Sequence, residues 1–257
     1  MKKLRVHRYK SLLFLFILAA VAPTGFSIEI TEAQSLLDGI DFALNFDDGD
    51  FSAVMTMISE DPETGVEKSV VQQFRRDSED KFLMLFQEPA TQRGQGYLNI
   101  DDNLWFYDPE SRKFSHTSMK EQFAGSDANN SDFGESSRSE DYEVISAIEG
   151  TLGKFNVYIM ELKGRHNEVT YPKEKVWVTK DRNLLLKTED YSANGRLMRT
   201  SYFPLYAEAG GKYIPTKMIF VDNLIEGKKT QITITEISID TLPNTVFTKA
   251  YVERVNR

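Results

Sequence analysis

The residue types that most often carry catalytic or metal chemistry are scarce in this chain and poorly spaced for it. There is no cysteine, which excludes thiol nucleophiles, thiolate metal sites and disulfides. Beyond the first 27 residues the histidines are His116 and His166. His116 reads as a strand-end surface residue, and His166 sits near Gly164 in a turn without a second histidine at zinc-ligand spacing. A serine hydrolase of the elbow type needs Gly-x-Ser-x-Gly, which does not occur. Asp127, Asn129, Ser131, Asp132 and Glu135 are spaced like a calcium loop, but Asp132 stands where the sharp-turn glycine belongs and Arg138 where the bidentate glutamate belongs. Asp101-Asp102-Asn103 and Asp47-Asp48-Gly49-Asp50 read as turns. The expectation is a protein with no catalytic residue, no metal and no cofactor: not an enzyme, and one whose chemistry is non-covalent.

What the chain has in quantity is apolar surface in short segments. Candidate strands fall at 51–59, 66–75, 81–87, 96–100, 104–107 and 113–117, then at 142–149, 154–163, 174–179, 184–191, 197–206, 217–222 and 229–238. They are rich in β-branched and aromatic residues and separated by turn signals such as Asp108-Pro109, Asn194-Gly195 and Gly210-Gly211. This spacing predicts an antiparallel barrel, half-barrel or sandwich. A strand with one wet face alternates, yet Phe82-Leu83-Met84-Leu85-Phe86 is apolar throughout, so both of its faces must be covered. An ordinary two-layer core would use the same residues. The methionines at 55, 57, 84, 160, 198 and 218 point instead to an irregular apolar space, which their flexible side chains suit.

One amphipathic helix precedes the strands, over 31–45, with Ala33, Leu36, Leu37, Ile40 and Leu44 on one face and Thr31 and Gln34 spaced as a capping box. Between the two sets of strands, 118–140 is rich in Ser, Asp, Asn and Gly and reads as a long polar surface loop. At the N-terminus, Lys2, Lys3, Arg5, Arg8 and Lys10 precede an apolar run over 12–22, too short for the roughly 20 residues a membrane span needs. This is the layout of a signal peptide, assigned to 1–27, leaving a single domain over 28–257. Cleavage would follow Ala20 and Ala22 or Gly25 and Ser27; Pro23 favours the later site. Removing the five basic residues takes the formal charge from −8 to −13, a surface that repels nucleic acid. The expected location is the periplasm, as a monomer without a lipid anchor, because no cysteine is present to carry one.

Three stretches resemble the LolA-like outer-membrane lipoprotein-sorting proteins: Phe86-Gln87-Glu88-Pro89, then Arg93-Gly94-Gln95-Gly96-Tyr97-Leu98, then Leu104-Trp105-Phe106-Tyr107-Asp108-Pro109. Weaker matches are Asp50-Phe51-Ser52-Ala53-Val54-Met55 and the terminal Asn244-Thr245-Val246-Phe247-Thr248-Lys249. The resemblance implies a mainly β fold, a strongly curved antiparallel sheet forming an incomplete barrel with helices covering its concave apolar face. It also implies a carrier that binds the acyl chains of lipoproteins or lipids, with inner-membrane release machinery and an outer-membrane acceptor as partners. On that fold the expected lining is Met55, Met57, Phe74, Phe82, Met84, Phe86, Trp105, Tyr107 and Met160, with the inward parity of each strand left open. Arg76, with Arg75 as its alternative, matches the family's arginine that contacts the lid, and Leu36, Leu37 and Ile40 would face the cavity from the covering helix. An envelope structural or interaction protein of the same fold without lipid cargo is the alternative.

Overall fold

The computed structural model describes residues 27–255 except 47 and 102. The expected signal segment therefore lies outside the described residues apart from Ser27. Among the described residues, thirteen strands form one antiparallel sheet built from two meanders. The first comprises β1 (Phe51–Asp61), β2 (Gly65–Arg76), β3 (Lys81–Glu88), β4 (Gly96–Ile100), β5 (Asn103–Asp108) and β6 (Lys113–Thr117). The second comprises β7 (Tyr142–Leu152), β8 (Phe155–Gly164), β9 (Lys173–Thr179), β10 (Leu185–Tyr191), β11 (Leu197–Ala209), β12 (Lys212–Asp222) and β13 (Lys229–Ser238). Their seam is β1 against β13, so β6 and β7, neighbours in sequence, are the two opposite free edges. The sheet does not close, and its form is an open half-barrel, the incomplete barrel expected from the sequence.

Because β6 and β7 lie at opposite edges, the chain joining them must cross the sheet. It crosses on the inner face. Residues 118–140 are therefore not the surface loop their polarity suggests: Phe123, Ala128 and Phe133 are buried in the core, and Ser126, Asp127, Asn129 and Asn130 are buried with them. The composition misleads because the polar side chains serve the segment's own backbone and its docking. Asn130 Nδ2 donates to the Ser118 carbonyl at 2.7 Å, and Asn129 and Asp132 form a reciprocal capping box. We call this segment the strap; it ends in the short helix α2 (Arg138–Asp141).

The N-terminal helix, α1 (Ile30–Leu44), covers the other part of the inner face. Ala33, Leu37 and Ile40 are wholly buried against Tyr142, Val144, Met160 and Val176, while Leu36 and Leu44 lie at the margin. Fully burying Leu37 and Ile40 contributes about 1.5–3 kcal/mol each. No capping box forms, since the N-cap is Glu29 without a side-chain bond. Gln34 instead serves the free edge: its Oε1 accepts from Val144 N at 3.0 Å and its Nε2 donates to the Tyr142 carbonyl at 3.1 Å. The last turn of α1 is tied to the strap, where Asp41 accepts from the Arg138 and Ser139 amides at 3.1 and 2.8 Å.

A third helix, α3 (Lys249–Val255), lies on the outer face and had no clear sequence signal. Val246, Phe247 and Val252 pack there on Leu83, Leu85, Leu98 and Tyr107. This explains the unbroken apolar run of β3. Phe82, Met84 and Phe86 face the strap while Leu83 and Leu85 face the C-terminal segment.

Candidate functional site

Strand parity fixes what faces inward. In β1 burial alternates strictly, with Phe51, Ala53, Met55 and Met57 inside. Directly opposed residues share a face, and the register carries that face to Val71 and Phe86 on one side and to Ile232, Ile234 and Met218 on the other. The inner face is not covered completely. Between α1, the strap and the sheet lies a cavity of about 310 Å³, at the small end of the range for ligand sites.

Its apolar wall includes Phe46, Phe51, Met55, Met218, Phe220 and Ile234. The lower part of the strap seals the sheet beside it: Phe123 stacks on Phe86 with centroids 5.5 Å apart and meets Phe133 at 4.7 Å. Gly134 lets the strap come close there, since a Cβ would stand 3.3 Å from the Phe82 ring and 3.4 Å from Met119.

The facing wall is polar. Arg199 on β11 donates to Asp190 at 2.7 Å and to both carboxylate oxygens of Asp132 at 2.6 and 3.1 Å, pinning the strap to the sheet. Desolvation disfavours the charge on Arg199, but Asp132 and Asp190 overcome it and hold its pKa well above the ordinary value. Deeper in, Arg138 of α2 faces Glu174 of β9, Nε to Oε2 at 3.5 Å. Burial holds the carboxyls of Glu174 and Asp190 above the usual range, opposed chiefly by Arg138 for the first and Arg199 for the second. Burial likewise raises the hydroxyl of Tyr142, which donates to the Tyr171 carbonyl at 2.9 Å.

The expected lining residues separate into four places. Met55 lines the cavity. Met57, Phe82, Met84 and Phe86 are on the inner face within the cluster that the strap covers, and Met160 lies beneath α1 with Leu37 and Ile40. Phe74, Trp105 and Tyr107 are on the outer face, packed with Val246 and Phe247, and so do not line the cavity. The reason is the two-residue period of a strand: Gln73 and Arg75 share a face with Met84 and Phe82, which turns Phe74 away.

The same period corrects Arg76. Its guanidinium grips Asp50 through two bonds of 2.8 Å and donates to the Leu242 carbonyl at 2.6 Å and to Asn244 at 2.5 Å, so it holds the C-terminal segment rather than a lid. Asp50's carboxyl sits below its ordinary range because Arg76 donates to it. Arg75 is the inward neighbour. It lines the cavity, pairs with Asp77 at 2.7 Å and reaches the last carbonyl of α1, at Leu44, at 3.4 Å. Arg138, Glu174 and Arg199 were not anticipated. The available signal was a charge pair, Asp190 opposite Arg199, on strands whose neighbouring residues on the same face are the uncharged Thr188 and Ser201.

An open antiparallel half-barrel, covered inside by a helix and a strap that leave an amphipathic cavity, is a LolA-like fold. The profile of a family described as "-like: Uncharacterized protein" matches residues 78–254, more than half of the chain, and the chain belongs to that family. Among solved structures, a LolA superfamily protein from Nitrosomonas europaea is 25% identical, with a TM-score of 0.75 over 85% of this chain and 98% of that one. A putative outer membrane lipoprotein-sorting protein domain from Vibrio parahaemolyticus is 22% identical, with a TM-score of 0.78 over 88% of this chain and 100% of the other. A DUF1329 family protein from Desulfovibrio piger is also 22% identical, with a TM-score of 0.76 over 87% and 98%. No curated protein matches the chain. Among the described residues no helix is long and apolar enough to cross a membrane.

Proposed function

We propose that this protein is a periplasmic carrier that shelters an acyl chain of a lipoprotein or lipid between α1, the strap and the sheet, and passes it towards the outer membrane without chemical change. The observation that carries this is the cavity itself, about 310 Å³ and walled on one side by Phe46, Phe51, Met55, Met218, Phe220 and Ile234. Each buried methylene contributes about 0.8 kcal/mol, so ten would supply roughly 8 kcal/mol before the cost of ordering the chain. That suffices for transient binding. The N-terminal basic and apolar run supports export, and the likeness to the Vibrio lipoprotein-sorting domain supports the carrier class. Release machinery in the inner membrane and an outer-membrane acceptor would complete such a route.

One observation favours a second function. The strap already fills part of the inner face, with Phe123, Ala128 and Phe133 buried there, as an envelope structural protein without cargo would require. Mass spectrometry of molecules extracted from natively purified protein separates the two. A carrier yields acyl-bearing lipid or lipoprotein near one per chain and takes up a fluorescent fatty acyl probe. Protein that is empty on isolation and binds no probe would falsify the carrier function.

A further inference from the structure

The polar wall of the cavity contains a pair that is close but incompletely satisfied. Arg138 Nε and Glu174 Oε2 stand 3.5 Å apart, and neither atom has a hydrogen-bond partner among the described residues. The Glu174 side chain is 8% exposed, and both residues line the cavity. Their neighbours are already engaged: Arg138 Nη1 donates to Ser136 Oγ at 3.1 Å, and the Tyr142 hydroxyl, which also lies against the Glu174 carboxyl, donates to the Tyr171 carbonyl at 2.9 Å. A buried polar atom without a partner is costly, so this wall is suited to a group from outside the chain.

We propose, resting on the carrier function above, that the cavity seats a single acyl chain with an uncharged hydroxyl-bearing head, whose oxygen accepts from Arg138 Nε and donates to Glu174 Oε2. A hydroxyl is the simplest group that satisfies both atoms at once. A carboxylate or phosphate head only accepts, and would set an anion against Glu174. An ammonium head only donates, which leaves Arg138 Nε unpaired. The wall offers no surplus positive charge to draw an anion, because Arg138 and Arg199 face Glu174, Asp190 and Asp132. Opposite it, Met55, Met218 and Phe220 receive the chain. A volume at the small end of ligand sites admits one chain rather than several.

The test uses the protein purified without its signal segment and three ligands of equal chain length, monomyristin, myristate and methyl myristate, each displacing an apolar fluorescent probe at pH 7.5. Monomyristin should bind about tenfold more tightly than either of the others, the ratio that one hydrogen bond to a charged group supplies. Glu174→Leu should bring the ratio against methyl myristate to about one and, by leaving the Arg138 charge unopposed, shift the ratio against myristate in myristate's favour, while Glu174→Gln, which keeps an acceptor oxygen, should retain most of the preference over methyl myristate. Circular dichroism checks that each variant folds. Should Glu174→Leu not fold, the wild-type series and Glu174→Gln decide. Equal affinities for the three ligands, or tightest binding of myristate, overturn the head-group assignment and leave the carrier function standing. Failure of the probe and all three ligands to bind overturns both.

Discussion

Arg76 and Arg138 sit on opposite faces of one sheet, and the difference in how they are satisfied separates a face built to stay closed from one built to receive. On the outer face Arg76 meets a full set of partners in Asp50, Asn244 and the Leu242 carbonyl, with the Phe247 ring 5.1 Å from its guanidinium carbon. On the inner side lie the buried side-chain polar atoms found without a hydrogen-bond partner among the described residues: Asp127 Oδ1, Asn130 Oδ1, Arg138 Nε, Glu174 Oε2 and Ser201 Oγ. Buried polar groups are ordinarily paired. Their concentration around the strap and cavity marks that side as the one whose packing is provisional.

The strongest challenge to this contrast is Arg76→Leu. It leaves Asp50 buried without its cation and should cost about 3–5 kcal/mol in urea unfolding. A loss below about 1 kcal/mol would place Arg76 among ordinary surface charges and remove the distinction. Phe123→Ala should act locally. If the strap opens as its own unit, amide exchange over 118–140 should quicken about tenfold or more, a shift of roughly 1.4 kcal/mol, with β3 amides unchanged. Uniform acceleration across the sheet would show that the two faces unfold together.

Acid sharpens the comparison because the carboxyls of the two faces shift in opposite senses. The folded pKa of Glu174 is raised above 4.5 and that of Asp190 above 3.8. Folding is therefore penalised while they are ionised, and the penalty lifts as pH falls through the raised values towards the ordinary ones. Asp50 is depressed below 3.8. Its contribution is present above that value and is lost only as pH falls through the lower, folded one. Strap amides should become better protected as pH drops from neutral towards about 4.5, and the C-terminal segment should loosen only below about 3.8. Exchange measured across this range checks both, and Glu174→Gln should diminish the first effect. The smallest change is Lys163→Ala, which breaks the exposed pair with Glu143 at 2.8 Å and should alter stability by less than about 0.5 kcal/mol.

Much of the sheet was legible because its signals are local. Turn residues and β-branched segments located the thirteen strands and α1 to within a few residues, apart from an earlier start for β12 at Lys212 and a later end for β11 at Ala209. The site was less legible because it depends on long-range pairing. In β3 five successive apolar residues erase the alternation that would reveal parity, while β1 retains it through Ser52 and Thr56. Carrying the β1 pattern across the hairpins would have excluded Phe74, Trp105 and Tyr107 from the lining. The strap hid behind its composition. Phe123 and Phe133 were visible, but only the sheet order shows that the segment must cross the inner face. Arg138 registered only as a failed calcium ligand, since its partner Glu174 lies on β9, beyond two intervening strands.

The seam between β1 and β13 also fixes the order in which the molecule can assemble. Each meander can zip from hairpins of neighbouring strands, but Met57 meets Ile232 and Ser59 meets Thr230 only after nearly the whole chain is present. The docking surface of α1 lies more than a hundred residues ahead of it: Gln34 and the Val144 amide are 110 positions apart. A chain delivered N-terminus first must therefore hold the apolar stripe of α1 and an unpaired β1 edge exposed until the second meander arrives. Such non-local closure is slow, and the early meander is the species a holding chaperone would meet.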